Sequence, residues 1–231
     1  MDMVIPFCEV FLAGLIHSLL QLGLGALLLL YHASLGKHVQ KKTRDLVDSY
    51  IGGAGMLVFV MIAAVAFLLN LIFGKPLYAE ELMIVVGMLI ALAVAAWAIY
   101  YRRGKSTELW LPRTVARFID KRAKETNSNT EAFSLGILTS LAEMPFTMAL
   151  FIIAGNSLLQ LDTNQQLLAV ALYTILAILP LAVIRIVIRN GKTIVDIQRW
   201  RVNHKMFLRV VTGLGFLVLG IFVSSLRLTV R

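Results

Sequence analysis

The stretch from Ala132 to Leu159 reads AFSLGILTSLAEMPFTMALFIIAGNSLL and contains a single charged side chain, Glu143. A helix rises about 1.5 Å per residue, so that about 20 apolar residues cross the hydrocarbon core of a bilayer. In lipid such a stretch must be helical, because a helix satisfies its own backbone polar groups. The stretch therefore predicts a transmembrane helix that carries one acid close to its centre.

Five further apolar runs flank this stretch along the chain. They are Phe7–Leu35, Tyr50–Phe73, Leu82–Tyr101, Leu167–Ile188 and Phe207–Leu226. Of the 231 residues, 59% are hydrophobic, whereas soluble domains contain about 45–50%. Six spans with short loops use nearly all of the sequence. We therefore predict an all-α integral membrane protein with about six transmembrane helices and no large soluble domain.

The positive charges are unevenly distributed among the loops. All but three of the 22 Lys and Arg residues lie in or beside loops one, three and five, the exceptions being Lys75, Arg227 and Arg231. The positive-inside rule then places these three loops in the cytoplasm and both termini outside. The net charge of +9 is explained by this topology, so that no nucleic-acid partner is expected. The expected location is a prokaryotic inner (plasma) membrane.

The segment Leu109–Glu125 differs from the spans because it is amphipathic. Its apolar residues recur at helical spacing, and four basic residues occupy the other side: Arg113, Arg117, Lys121 and Arg122. This pattern is typical of a helix that lies on a membrane surface, where basic side chains attract anionic lipid. We expect it to divide the chain into a first half (1–104), a cytoplasmic linker (105–131) and a second half (132–231).

The fourth apolar run resembles the first. Residues 11–21 (FLAGLIHSLLQ) align without gaps with residues 133–143 (FSLGILTSLAE), and this alignment pairs His17 with Thr139 and Gln21 with Glu143. Because each half contains three helices, the two halves would have opposite orientations. Inverted repeats of this kind are typical of secondary transporters, which bind substrate near the membrane midplane at the repeat interface. We expect the first and fourth helices to pack against each other.

This six-helix 3+3 layout, with a Gly–Ser–Pro-containing first helix in each half, resembles the lysine-exporter superfamily. That superfamily includes amino-acid, cadmium and nickel/cobalt exporters and thiol-reductant carriers. The sequence AEMPF at 142–146 stands where the amino-acid exporters have Pro-Gly-Pro. Cys8 is the only cysteine, so the paired cysteines of the thiol carriers are missing. The resemblance implies a carrier or exporter of a small solute without selecting that solute.

Glu143 is the residue to which the sequence assigns the central role. A charge at the bilayer centre costs about 2.5–3.5 kcal/mol on insertion scales, and acids there usually face the protein interior and serve a function. Pro145 removes a backbone donor and would free the carbonyl of Leu141 beside it. The alternatives are a neutral Glu143 that forms an interhelical hydrogen bond and an ordinary proline kink.

His17 and Gln21 lie four residues apart, on one face of the first helix. Together with Glu143 they could bind a cation, a metal ion or the ammonium group of a solute, since imidazole suits transition metals and carboxylate suits harder ions. The metal ligands would be Glu143 and His17. Three small hydroxyl residues are expected to line the same place: Ser18, Thr139 and Ser140. A purely structural packing role is the alternative for each of these residues.

Three functions are compatible with this pattern. No phosphate-binding G-x-x-x-x-G-K-[ST] loop and no hydrolase or zincin motif occurs in the sequence, so we expect no cofactor. The leading hypothesis is a secondary transporter, not an enzyme, that exports a small cationic or polar solute in exchange for protons through Glu143. The alternatives are a lipid-modifying intramembrane enzyme, with His17 and Glu143 as acid and base, and a non-catalytic membrane scaffold. Homodimerisation is compatible with all three functions.

Overall fold

The computed structural model describes residues 3–20, 40–97, 113–189 and 194–229, and these residues form helices without any strand. The all-α prediction is therefore confirmed for this part of the chain. The helices are α1 (Val4–Leu19), α2 (Gln40–Phe73), α3 (Ala79–Ala95), α4 (Arg113–Glu125), α5 (Asn129–Leu158), α6 (Thr163–Arg189), α7 (Ile194–Asn203) and α8 (Lys205–Thr229).

Four of the described helices are long and apolar enough to cross a membrane. These stretches are Thr43–Phe73, Asn129–Leu158, Thr163–Val187 and Met206–Ser225, and they correspond to the second, fourth, fifth and sixth predicted runs. The first and third runs are represented by α1, which has 16 residues, and α3, which has 17. Each of these two runs continues into residues outside the described part. The structure is thus that of an all-helical integral membrane protein with four long spans, where the sequence predicts six.

Local sequence signals fix where the helices begin and end. Helix α5 starts with a capping box, in which the Ser128 hydroxyl accepts from the Glu131 backbone N–H and the Glu131 carboxylate accepts from the Ser128 N–H. Such a box satisfies two backbone donors that the first turn leaves unpaired. Helix α2 is followed directly by Gly74. The φ of Gly74 is +64°, a left-handed conformation that glycine adopts without steric cost.

Helices α2 and α5 form the most extensive interface between described helices. Two glycines permit it. A Cβ atom at Gly136 would overlap the carbonyl oxygen of Tyr50, and a Cβ atom at Gly53 would overlap the carbonyl oxygen of Phe133. Small residues that let two backbones approach are the usual basis of helix packing in membranes, where the hydrophobic effect supplies little.

The described helices of the first half pack mainly on those of the second half. Helix α1 contacts α5, α6 and α8, helix α2 contacts α5 and α6, and helix α3 contacts α8 and α5. The expected packing of the first and fourth helices is therefore seen, as the contact between α1 and α5. No structural boundary supports or opposes the predicted division at residues 104 and 131, so that division stays a prediction.

The outward faces of these helices are apolar. Large exposed hydrophobic side chains cover the outside of α2, α3, α6 and α8, among them Phe67, Leu71, Ile84, Leu168 and Ile221. Soluble monomers rarely expose contiguous apolar surface of this kind. The polar residues that are buried, by contrast, concentrate on the inward faces of α1 and α5. The fold therefore presents apolar side chains to its surroundings and keeps a polar strip inside.

Candidate functional site

His17 and Glu143 lie side by side in the interior, with 4% and 6% of their surfaces exposed. Nε2 of His17 is 3.9 Å from Oε2 of Glu143, and Nδ1 of His17 is 3.0 Å from the hydroxyl oxygen of Tyr173. Helices α1, α5 and α6 therefore meet at one imidazole ring. The two residues that the sequence selects as ion ligands are brought together by this packing.

The protonation state of His17 determines how its ring interacts with both Tyr173 and Glu143. A neutral imidazole has one donor and one acceptor nitrogen, whereas the imidazolium has two donors. If the Tyr173 hydroxyl donates to Nδ1, the proton on Nε2 is on the side of Glu143. When His17 is doubly protonated, Nδ1 must instead donate to the Tyr173 oxygen. If the Tyr173 hydroxyl donates to the neutral ring, protonation of His17 reverses the direction of this hydrogen bond to α6.

Two aromatic rings pack against His17. The ring of Phe151 meets the His17 ring edge-on at a centroid distance of 5.5 Å, and the Tyr173 ring does so at 5.6 Å. Apolar enclosure lowers the local dielectric, which strengthens interactions between polar groups and raises the cost of leaving any of them unpaired. The electrostatic interaction between His17 and Glu143 is therefore stronger here than it would be in water.

A small cavity of about 20 Å³ adjoins the pair. This volume is close to what a single water molecule occupies. His17, Ser18, Ser140 and Glu143 supply its polar lining, and its apolar lining comes mainly from α2 and α6: Ala54, Val58, Ala177, Ile178 and Leu181. Both serines thus lie where the sequence predicts them, beside the acid. Pro180, which the sequence analysis does not assign to the site, also lines the cavity.

Thr139 lies apart from this cavity, against Tyr50 of α2. Its hydroxyl is 3.0 Å from the Gly136 carbonyl, to which it donates, and 2.8 Å from the Tyr50 hydroxyl. Because a threonine hydroxyl has one proton, the Tyr50 hydroxyl donates to Thr139. The predicted site residue Thr139 is therefore engaged in a second buried hydrogen bond, next to the cavity and outside its lining.

The same arrangement thus occurs twice in the described structure. His17 bonds Tyr173 one helical turn from Gly14, which packs on the backbone of Tyr173. Thr139 bonds Tyr50 one turn from Gly136, which packs on the backbone of Tyr50. The sequence alignment of residues 11–21 with 133–143 already pairs Gly14 with Gly136 and His17 with Thr139. The structure adds Tyr173 and Tyr50 as their partners.

One predicted site residue, Pro145, lies away from the cavity. Pro145 is exposed and Leu141 is 47% exposed, so both lie on the outer face of α5, whereas Glu143 faces inward. The side chains of Pro145 and Leu141 therefore do not line the cavity, and a role for the Leu141 carbonyl stays a prediction. Gln21 lies outside the described residues.

Three buried residues near the site were missed by the sequence analysis: Glu9, Tyr50 and Tyr173. Tyr50 and Tyr173 are fully buried and Glu9 is 2% exposed. Each had a signal, since a tyrosine or an acid inside an apolar run is costly unless its polar group finds a partner. Tyr50 is the first residue of the second predicted run, and Glu9 is the third residue of the first run. Because both lie at the start of a run, the apolar pattern marks neither as a buried group.

The predicted amphipathic segment is helical from Arg113 to Glu125 (α4), where Ile119 and Ala123 are buried and Phe118 is exposed. A cavity of about 570 Å³ lies between α4 and α5, lined by Arg122 and by residues of both helices. Lys121 forms an ion pair with Glu125 at 3.8 Å. The side chain of Arg113 lies outside the described part, and lipid binding at Arg113, Arg117, Lys121 and Arg122 stays a prediction.

No group of three or more His, Cys, Asp or Glu side chains that could hold a metal ion occurs among the described residues. A metal at Glu143 and His17 would need further ligands, and the hydroxyl groups of Ser18 and Ser140 line the same cavity. No family model, curated protein or solved structure matches the chain. The resemblance to the lysine-exporter superfamily therefore stays a prediction.

Proposed function

We propose that this protein is a secondary transporter, not an enzyme, that exports a small cationic or polar solute in exchange for protons. The observation that carries the proposal is the buried pair of His17 and Glu143 beside a cavity between four helices. Ionisable groups inside a membrane are rare, and they mark ion and proton pathways by default. A purely structural contact between helices would not need two ionisable groups.

The paired contacts support an inverted repeat. If α1 corresponds to α5 and α2 to α6, then the bond between His17 and Tyr173 corresponds to the bond between Thr139 and Tyr50. The cavity lining follows the same correspondence, because Ser18 pairs with Ser140, Ala54 with Ala177 and Val58 with Leu181. A cavity lined by equivalent residues from both halves is where inverted-repeat transporters bind their substrates.

The helix contacts agree with this correspondence. With α3 matched to α8, the contact of α1 with α6 corresponds to that of α5 with α2, and the contact of α1 with α8 corresponds to that of α5 with α3. All four contacts are present. We therefore propose six spans in two inverted three-helix halves, with loops one, three and five in the cytoplasm and both termini outside.

Proton coupling is proposed to use the asymmetry of this otherwise symmetric cavity. One half supplies the ionisable Glu143, and the sequence alignment places the neutral Gln21 at the equivalent position of the other half. A solute cation that binds Glu143 would compete with its proton, because a second positive charge next to a buried site is strongly unfavourable. Proton release on one side and uptake on the other would then accompany solute movement.

The lining favours a solute with a small cationic head. A carboxylate, an imidazole and two hydroxyls can accept hydrogen bonds from an ammonium group, and the aliphatic residues of α2 and α6 can contact its carbon atoms. A metal ion is the second option, with Glu143 and His17 as ligands. The cavity in this conformation has room for little more than one water molecule, so solute binding requires the helices around it to separate.

Reconstitution into liposomes tests the proposal. Vesicles with an entrapped pH indicator receive a panel of amines, amino acids and divalent metal ions. We expect at least one solute to drive proton movement through the unmodified protein and through Glu125→Gln, a matched change at an exposed acid. Glu143→Gln keeps the size of the side chain and removes the charge, so it should insert normally and lose the flux. Normal transport by Glu143→Gln between about pH 5 and 8 would refute the mechanism.

A further inference from the structure

An ion pair joins α2 to α6 at one end of the cavity. Nη2 of Arg185 donates to Oδ2 of Asp48 at 2.6 Å, and Nε of the same guanidinium group is paired with the other carboxylate oxygen. Asp48 comes six residues before Ala54, which lines the cavity from α2, and Arg185 comes one turn after Leu181, which lines it from α6. Both charges lie towards loops one and five, which the proposed topology places in the cytoplasm. The proposed transport mechanism gives this pair no part.

The ion pair lies on the contact face between two antiparallel helices. A Cβ atom at Gly55 would be 3.4 Å from Cδ1 of Ile178, so Gly55 of α2 faces Ile178 of α6. Asp48 precedes Gly55 by seven residues, which is almost two helical turns, or about 10 Å along the helix axis. Arg185 follows Ile178 by the same number of residues. One face of each helix therefore makes both contacts, first beside the cavity and then at the ion pair.

The ion pair has no charged equivalent in the proposed repeat. The correspondence between α2 and α6 pairs Gly55 with Ile178, so that two equivalent positions face each other. In an inverted repeat such a contact lies on the pseudo-twofold axis. The same correspondence gives Ala171 and Ile62 as the equivalents of the two charged residues, and both are apolar. The cavity is therefore flanked by a pair of charges towards the cytoplasm and by apolar positions towards the outside.

The partial exposure of this pair allows it to open. The side chains of Arg185 and Asp48 are 38% and 45% exposed. Breaking a buried ion pair leaves an uncompensated charge away from water, whereas water can solvate both members of a partly exposed pair when they separate. Exposed pairs also stabilise a fold only modestly. The interaction that holds α2 against α6 at this end can therefore break and form again without unfolding the protein.

We propose that the ion pair of Asp48 and Arg185 is the cytoplasmic gate of the cavity. It holds α2 against α6 while the cavity is closed, and it separates when the cavity opens to the cytoplasm. The closure of the cavity rests on the contacts between these two helices, whereas the part of the gate in transport rests on the proposed function. The alternative is a permanent tie between α2 and α6 that has no influence on access to the cavity.

Thiol labelling in the cavity tests the gate without any transport assay. In a Cys8→Ala background, which lacks the only native cysteine, Ser140→Cys places a thiol in the cavity lining. A charged, membrane-impermeant methanethiosulfonate reagent is added to inside-out vesicles, which expose the cytoplasmic side. We expect Asp48→Asn and Arg185→Gln each to raise the labelling rate about two- to fivefold, because the closed state loses its ion pair. Asp120→Asn breaks an exposed ion pair of α4 and should leave the rate unchanged.

The two neutralising variants break the pair from opposite helices, so the test survives if one of them does not fold. An unchanged labelling rate would overturn the proposal, as would an equal increase when the reagent is added from the outer side. Asp48→Arg combined with Arg185→Asp restores opposite charges and should restore slow labelling, and labelling as fast as in the single variants would also overturn the gate. Solute-driven flux with unchanged labelling would refute the gate alone. Labelling that responds to the gate, without flux for any solute, would refute the proposed function alone.

Discussion

The junction of α1 with α6 and the junction of α5 with α2 are built from the same parts and packed differently. In each junction, a glycine of one helix packs on the backbone of a buried tyrosine of the other helix. The hydroxyl of that tyrosine forms a hydrogen bond with a side chain that lies one turn after the glycine. At Gly136 the two backbones touch, because Gly53 also faces α5. At Gly14, Leu176 fills the position that corresponds to Gly53, and a Cβ atom would be 3.2 Å from it. One junction is closed backbone to backbone, whereas the other is spaced by a side chain.

The two junctions also differ in the chemical groups that they bring together. The closed junction joins two hydroxyl groups, Tyr50 and Thr139, neither of which changes charge near neutral pH. The spaced junction joins Tyr173 to His17, whose imidazole ring can carry one proton or two. The comparison suggests that α2 and α5 form a fixed clamp, while the contact of α1 with α6 can respond to a proton.

The largest expected effect comes from adding one methyl group at each glycine. Gly136→Ala places a Cβ atom on the Tyr50 carbonyl and 2.8 Å from the Ala54 backbone nitrogen, and backbone atoms cannot rotate away. We expect a loss of about 1–3 kcal/mol or more in stability, measured as thermal unfolding in detergent. Gly14→Ala is the matched control and should cost clearly less. Equal losses would mean that the two junctions are packed alike.

A smaller effect is expected from removing each tyrosine hydroxyl. Tyr50→Phe and Tyr173→Phe each delete one buried hydrogen bond, which is worth about 1 kcal/mol, so both should lower the unfolding temperature to a similar extent. In proteoliposomes only Tyr173→Phe should shift the pH dependence of solute-driven flux, because it alone removes a partner of His17. A shift of the same size in both variants would contradict the division into a fixed and a titratable junction.

The sequence was a good guide to the helices and to the central pair. Apolar runs predicted the long helices, and Ser128 and Gly74 mark ends that local rules explain. His17 and Glu143 were selected because ionisable groups in apolar runs are costly, and the structure brings them within 3.9 Å. Helix α1 is shorter than the run that predicted it, because it ends at Leu19, where Leu20 is extended. The remainder of that run, from residue 21, and the end of the third run lie outside the described residues.

The sequence alone could not show that Tyr173 and Tyr50 are the hydrogen-bond partners of His17 and Thr139, and the reason is physical. Hydrophobic patterns show which face of a helix is buried but not the height at which two helices meet. The segments around Tyr50 and Tyr173 share little sequence, since Gly52 and Gly53 stand where the other half has Ile175 and Leu176. Their correspondence becomes visible only through the contacts that they make. The position of Pro145 on the outer face was likewise not visible in the sequence, because it depends on how α5 is rotated.

Exchanging His17 and Thr139 is the most direct test of the comparison. It asks whether the two junctions have the same architecture and differ only in the side chain that can carry a charge. His17→Thr removes the imidazole from Tyr173, and adding Thr139→His places one beside Tyr50, still four residues from Glu143 on α5 and so on the same face. The measurement is solute-driven proton flux in liposomes as a function of pH, with correct folding checked by thermal unfolding. We expect His17→Thr to lose the pH dependence and the double variant to regain it. A folded His17→Thr variant with the flux and pH profile of the unmodified protein would contradict the account.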